Sequence, residues 1–127
     1  MATIHDVVVE SRHPASLARF WAAALDGYAV APYDEEELAR LAGTGVLDPE
    51  DDPTVLVEAA PGVRPRFFFV LQPEPKTTKN RVHLDLHAED RPGEVARLVA
   101  LGASVLGEHD GWTVLADPEG NELCVRD

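Results

Sequence analysis

Hydrophobic and polar positions along the chain change period several times, and the changes mark its elements. Ile4 to Val9 is a β-branched run that reads as a strand. Ser11 to Pro14 breaks it, with Pro14 suited to the first turn of a helix. Leu17, Phe20, Trp21, Ala24 and Leu25 then recur at helical spacing until Asp26-Gly27, and Tyr28 to Val30 reads as a short strand. Thr54 to Ala59 and Arg66 to Gln72 read as strands. Val82 to His87 alternates like a half-buried strand, with Val82, Leu84 and Leu86 expected to face a helix. Val95, Leu98, Val99 and Leu101 form that helix, ending at Gly102. Ala103–Leu106, Trp112–Ala116 and Glu122–Arg126 are the last strands, separated by turns at Gly107–Gly111 and Asp117–Gly120.

The pattern repeats. A shift of 78 positions places Pro14 on Pro92, Ala18-Arg19 on Ala96-Arg97, Leu17 on Val95, Phe20 on Leu98 and His5 on His83. These coincidences at one offset predict an internal duplication: two tandem βαβββ modules in one α+β domain. Module one covers residues 1–72, a linker 73–80, and module two 81–127. Residues 34–53 are an acidic insertion in module one, with a short helix starting at Asp34-Glu35-Glu36-Glu37 and a rigid loop at Asp48–Pro53. It reads as a solvated surface excursion, with a ligand lid as the alternative.

Composition narrows the partners. The 127 residues carry a formal net charge of −12, which argues against nucleic acid and against anionic lipid surfaces. A cationic small molecule is compatible with that charge. No apolar run approaches a membrane span, no signal peptide is visible, and the single cysteine, Cys124, excludes an internal disulfide. The expected location is cytoplasmic. There is no glycine-rich phosphate loop and no His-Glu-x-x-His.

Three stretches carry a resemblance. They are Leu17 to Leu25, Pro73 through Leu86, and Leu115-Ala116-Asp117-Pro118-Glu119-Gly120-Asn121-Glu122. In these the chain resembles the glyoxalase, bleomycin-resistance and ring-cleaving dioxygenase (vicinal-oxygen-chelate) superfamily, and more narrowly its bacterial glyoxalase-like domain proteins. The resemblance implies sheets that curl into a small-molecule cup with helices outside, and a homodimer. It also implies a divalent metal held by a histidine at the place of His83 and by a glutamate at the place of Cys124. A further glutamate is implied on the strand that here reads Arg66-Phe67-Phe68-Phe69-Val70-Leu71-Gln72.

Strand parity selects the cup-facing residues. Module two offers His83, Asp85 and His87, then Glu122, Cys124 and Arg126, with Trp112 as an aromatic candidate. In module one the constant shift makes His5 the counterpart of His83, whereas anchoring on Phe20-Trp21 places Asp6 there. Parity favours Asp6, because Val7 and Val9 suit the helix side and leave Asp6, Val8 and Glu10 for the cup; Phe68 supplies an apolar wall. The intact family metal set is therefore missing, and no cofactor is expected. A rearranged metal site would use His83 with Asp6 or His5 and Glu122.

Three functions follow. The first is metal-free binding of a small molecule. The second is a lyase, isomerase, epimerase or dioxygenase-type enzyme using a rearranged metal or a His83–Asp85 acid–base pair. The third is a non-catalytic interaction subunit.

Overall fold

A computed structural model describes all 127 residues, and it divides into two compact units, Met1–Glu74 and Pro75–Asp127. The boundary falls inside the expected linker. No helix is long and apolar enough to cross a membrane.

The first unit runs β1 (Asp6–Ser11), α1 (Pro14–Ala24), β2 (Ala29–Val30), α2 (Glu35–Gly43), a single 3-10 turn (Pro49–Asp51), β3 (Thr54–Glu58) and β4 (Arg66–Leu71). Its sheet has the order β1-β4-β3-β2, with β1 and β4 parallel and the other neighbours antiparallel. The second unit runs β5 (Leu84–His87), α3 (Arg91–Leu101), β6 (Ser104–His109), β7 (Trp112–Ala116) and β8 (Glu122–Arg126). Its order is β5-β8-β7-β6, again with first and last strands parallel. The chain is α+β, and the two units repeat one strand order, although β1 and β5 are out of phase at the 78-residue offset: Asp6 lies on the face away from α1, whereas its counterpart Leu84 lies on the α3 side.

Helices α1 and α3 each cover one face of their own sheet. In unit one Leu17, Ala18, Phe20 and Trp21 are buried together with Val55, Val57, Phe67 and Phe69, and Trp21 meets Phe20 edge-on at 5.6 Å. In unit two Val95 and Leu98 are buried with Leu115, Leu123 and Val125. Side chains cap two of the helices. Asp34 accepts the Glu37 amide at the start of α2, and Asp90 accepts the Gly93 amide at the start of α3. Gly102 ends α3 at φ +123°, a conformation that side chains other than glycine's rarely adopt.

Several boundaries differ from expectation: β1 starts two residues later than Ile4 and runs on through Ser11, which pairs with Leu71. β6 continues through Gly107 to His109, with a register shift between Val105 and Gly107, so the turn is only Asp110-Gly111. Asp-Gly is a two-residue hairpin signal, with Gly111 at φ +89°, and it overrides the glycine at 107. Val82 is not on a strand facing a helix: it precedes β5 and is 78% exposed. β5 pairs in register with β8 only from Leu84↔Leu123, so nothing holds Val82 in the sheet.

The Asp117-Pro118-Glu119-Gly120 turn is held by a buried carboxylate. Asp117 accepts the Glu119 amide at 2.9 Å, the Asn121 amide at 3.0 Å and the Asn121 side chain at 2.9 Å. This fixes where β8 begins.

The packing predicts a parity difference along β4. Phe69 is fully buried beneath α1 while its neighbour Phe68 is half-buried on the opposite face. Phe69→Ala is expected to destabilise by about 3–5 kcal/mol in urea unfolding. Phe68→Ala is expected to cost about half of that or less, and equal losses would contradict the assigned faces.

Candidate functional site

The face of each sheet turned away from its helix carries the polar residues singled out by parity. In unit one, β1 places Asp6, Val8 and Glu10 there, and β4 places Arg66 and Phe68. Register aligns Asp6 with Arg66, and Val8 with Phe68, which is itself aligned with Leu56 of β3. The result is an apolar band, Val8–Phe68–Leu56, beside a charged pair.

That charged pair holds Asp6. Arg66 donates to both its oxygens, Nε at 2.8 Å and Nη2 at 3.1 Å, and His5 Nδ1 lies 2.9 Å from Oδ2. The Arg66 hydrogen bonds, opposed by desolvation and reinforced by His5, pull the Asp6 pKa down from 3.8 to about 2. Asp6 does face the helix-free side, and His5 sits just ahead of the strand and touches it. Both are already engaged around a guanidinium, so a metal there would have to displace a fixed cation. Glu10 is exposed on the same face.

The insertion is solvated along most of its length, as the sequence suggests, and anchored at a few points. Leu41 is buried, Arg19 of α1 makes a two-pronged ion pair with Glu50 at 2.7 and 2.8 Å, and Tyr33 donates to the buried Asp52 at 2.7 Å. Burial, then the Asp52 hydrogen bond, push the Tyr33 pKa up, so its hydroxyl stays a donor. Held this way, the segment walls a groove of about 760 Å³ against the helix-free face. Phe68 and Leu56 form its apolar side, and Tyr33, Asp34, Glu36 and Glu58 are among its polar lining. Sequence reasoning missed this groove. The acidic run Asp34 to Glu37 was visible, but nothing local showed which surface it would face.

In unit two, β5 presents Asp85 and His87, and β8 presents Glu122, Cys124 and Arg126. Asp85 is aligned with Cys124, and His87 with Arg126. His83 immediately precedes β5, and its Nε2 is 3.2 Å from Asp85 Oδ1. Arg126 Nη1 reaches Asp85 Oδ2 at 3.3 Å, and its guanidinium lies over Trp112, 5.5 Å from the ring centroid. Trp112 also stacks on His109 at 4.7 Å. His87 is exposed at the strand end.

Glu122 is held by the linker. Lys76 Nζ holds one oxygen at 3.0 Å and the Asn80 amide donates to the other at 3.0 Å. Burial would raise its pKa, but these contacts outweigh it and the net direction is down. The carboxylate fastens the linker to the start of β8.

The grouping of metal-capable side chains is His83, Asp85 and Cys124, whose ligand atoms lie within 4.8 Å of one another. It differs from the set His83 with Asp6 or His5 and Glu122. Cys124 is buried, and burial, followed by the negative Asp85, raises its thiol pKa. The four-ligand family arrangement does not fit these residues: Asp6 is taken by Arg66, β4 carries no carboxylate, and cysteine stands at 124.

Comparison with known proteins agrees with this architecture. The sequence profile of the glyoxalase-like domain family matches residues 6–126. None of the curated proteins matches the sequence at a significant level. A glyoxalase/bleomycin resistance protein/dioxygenase family enzyme from Burkholderia phytofirmans PsJN has a TM-score of 0.66 at 15% identity, covering 98% of this chain and 97% of that one. The trypanothione-dependent glyoxalase I of Leishmania major has a TM-score of 0.65 at 14% identity, covering 100% of this chain and 87% of that one. A glyoxalase/bleomycin resistance protein from Albidiferax ferrireducens T118 has a TM-score of 0.60 at 18% identity, covering 98% of each chain. Identities this low speak to fold.

The Asp6–Arg66 pair predicts a defined pH response. A depressed folded pKa means that ionised Asp6 favours the folded chain. Its contribution is complete above about pH 4 and is lost as the pH falls toward about 2. A carboxyl NMR titration should place the Asp6 midpoint near 2, and Arg66→Gln should return it to the ordinary aspartate range. A midpoint that stays low in that variant would remove Arg66 as the cause.

Proposed function

The chain belongs to the glyoxalase-like domain family, and on that premise we propose that it is a small-molecule binding protein whose ligand pairs a cationic group with an apolar body. The observation that carries this reading is the groove between the insertion and the helix-free face of unit one. A volume of about 760 Å³ suits a drug-sized molecule. Phe68 and Leu56 offer the apolar contact, while Asp34, Glu36 and Glu58 set a negative potential along the rim. Phe68 itself lies under the Arg66 guanidinium, 5.2 Å from its ring centroid, so one face of the ring is already used and the ligand takes an edge or the other face. The net charge of −12 works in the same direction, concentrating cations near the surface.

The lyase or isomerase reading has one observation in its favour, the His83–Asp85 contact at 3.2 Å. A histidine beside a carboxylate can move a proton near neutral pH. Here Asp85 is shared with Arg126 and with Cys124, which weakens it as a dedicated partner. Binding is therefore the primary reading. Superfamily folds host many chemistries, and the groove, not the fold, supports it.

Calorimetric titration with a series of aromatic amines and their neutral isosteres, in a chelator-containing buffer, tests this. Amines are expected to bind at least about tenfold more tightly than the isosteres, a difference of about 1.4 kcal/mol. Phe68→Ala should weaken amine binding by about tenfold or more, and Glu36→Gln combined with Glu58→Gln should erase most of the preference for charge. Equal affinity for amine and isostere would overturn the cationic assignment.

A further inference from the structure

Both modules carry the same device on the helix-free face: an arginine braced over an aromatic ring. In unit one Arg66 lies over Phe68, 5.2 Å from the ring centroid, and its Nε–Nη2 edge grips Asp6 side-on at 2.8 and 3.1 Å. In unit two Arg126 lies over Trp112 at 5.5 Å. Its one protein acceptor is Asp85, reached through Nη1 alone at 3.3 Å, longer than the roughly 2.7–2.9 Å of a good charge-assisted bond. Nε and Nη2 meet no protein acceptor.

Strand register explains how this guanidinium is held. His87, Arg126, Trp112 and His109 stand opposite one another on β5, β8, β7 and β6, forming one transverse row. His109 stacks on the indole at 4.7 Å with the rings 14° apart, so Trp112 is supported from β6 while it supports Arg126 on β8. On the other side of Arg126 stands His87, exposed and without a hydrogen-bond partner. Lys79 adds to the positive charge of this face: burial and Asp85 push the Cys124 thiol up, and Arg126 and Lys79 both oppose them.

We propose that unit two binds the carboxylate of an organic acid side-on, on the Nε–Nη2 edge of Arg126, with His87 donating from beside it. Two parallel N–H···O bonds match a planar carboxylate, as Asp6 demonstrates on Arg66. A lysine would bring charge to the same place but not that fork. The indole brace matters because a guanidinium already resting on a ring has less side-chain freedom to lose on binding. Asp85 is the local opposing charge, and it bonds Nη1, the nitrogen outside the proposed edge. The net charge of −12 works against anions at long range, so affinity here comes from contact geometry. The site lies within unit two and stands apart from the groove reading, which concerns a cation on unit one.

The test is an NMR titration of the intact, nitrogen-15-labelled chain with sodium benzoate. Benzamide serves as the neutral isostere and phenylphosphate as a tetrahedral oxyanion. Benzoate is expected to shift the Arg126 Nε–H and the Trp112 indole N–H along one saturating curve, with a Kd of about 10 mM or tighter. Benzamide should leave both in place, and the Arg66 Nε–H, already bonded to Asp6, should not follow benzoate. Arg126→Gln should abolish the saturating shift at Trp112, and Arg126→Lys should weaken binding at least about fivefold. His87→Ala should weaken it by about two- to threefold. The proposal is overturned if the Arg126 signal does not move up to about 50 mM benzoate. It is equally overturned if Arg126→Lys binds as tightly as the native chain, which would reduce the site to bare charge. Phenylphosphate binding about tenfold tighter than benzoate would remove carboxylate as the ligand and assign a phosphate instead. Amine binding at Phe68 and Glu58 uses none of these residues, so the two readings fail separately.

Discussion

The residues of the open sheet faces are placed by one constraint: in each module the first strand pairs in parallel with the last, and a single helix seals one face of that pair. Parallel pairing leaves no choice of side for the residues between. Once Phe67 and Phe69 are under α1, Arg66 and Phe68 must look the other way, and the β1 register sets Asp6 against Arg66. Once Leu123 and Val125 are beneath α3, Cys124 must look the other way and meet Asp85. A slip of one residue in either pair would bury a charge and expose a core side chain. Those core side chains, Phe69 and Leu123 among them, are completely inaccessible to water, and their burial is the dominant favourable term in folding.

The same frame has been given two different contents. In module one an arginine occupies the helix-free face and neutralises the only carboxylate of β1 that it reaches, while the insertion adds a wall that the other module lacks. The ion pair is partly solvated, so its value lies less in stability than in setting local charge. In module two the corresponding pair is aspartate and cysteine, with a histidine at the strand entrance. A repeated scaffold can display different side chains on its two open faces, because the helix-covered core is indifferent to what the open face displays.

The acidic residues of the insertion and its flanks divide between two structural positions. Glu50 and Asp52 are engaged with Arg19 and Tyr33, holding the segment down, whereas Glu36 and Glu58 line the groove it creates. The chain's negative charge is thus partly internal fastening and partly a field that a cation would feel.

Much of this was legible in the order of residues. Periods of 3.6 and 2 marked the helices and strands, because an apolar stripe must be buried whatever lies across from it. The recurring order of strand, helix and strand announced the two modules, and alternation along β1, β5 and β8 assigned Asp6, Asp85 and Cys124 to the open faces. Which partner each would meet was decided only by tertiary structure. Asp6 and Arg66 are 60 positions apart, Glu122 and Lys76 are 46 apart, and Tyr33 finds Asp52 across the insertion. Such pairings depend on the register between distant strands and on how a loop folds back. Parity tells a side chain which way to point; only the folded chain decides what is waiting there.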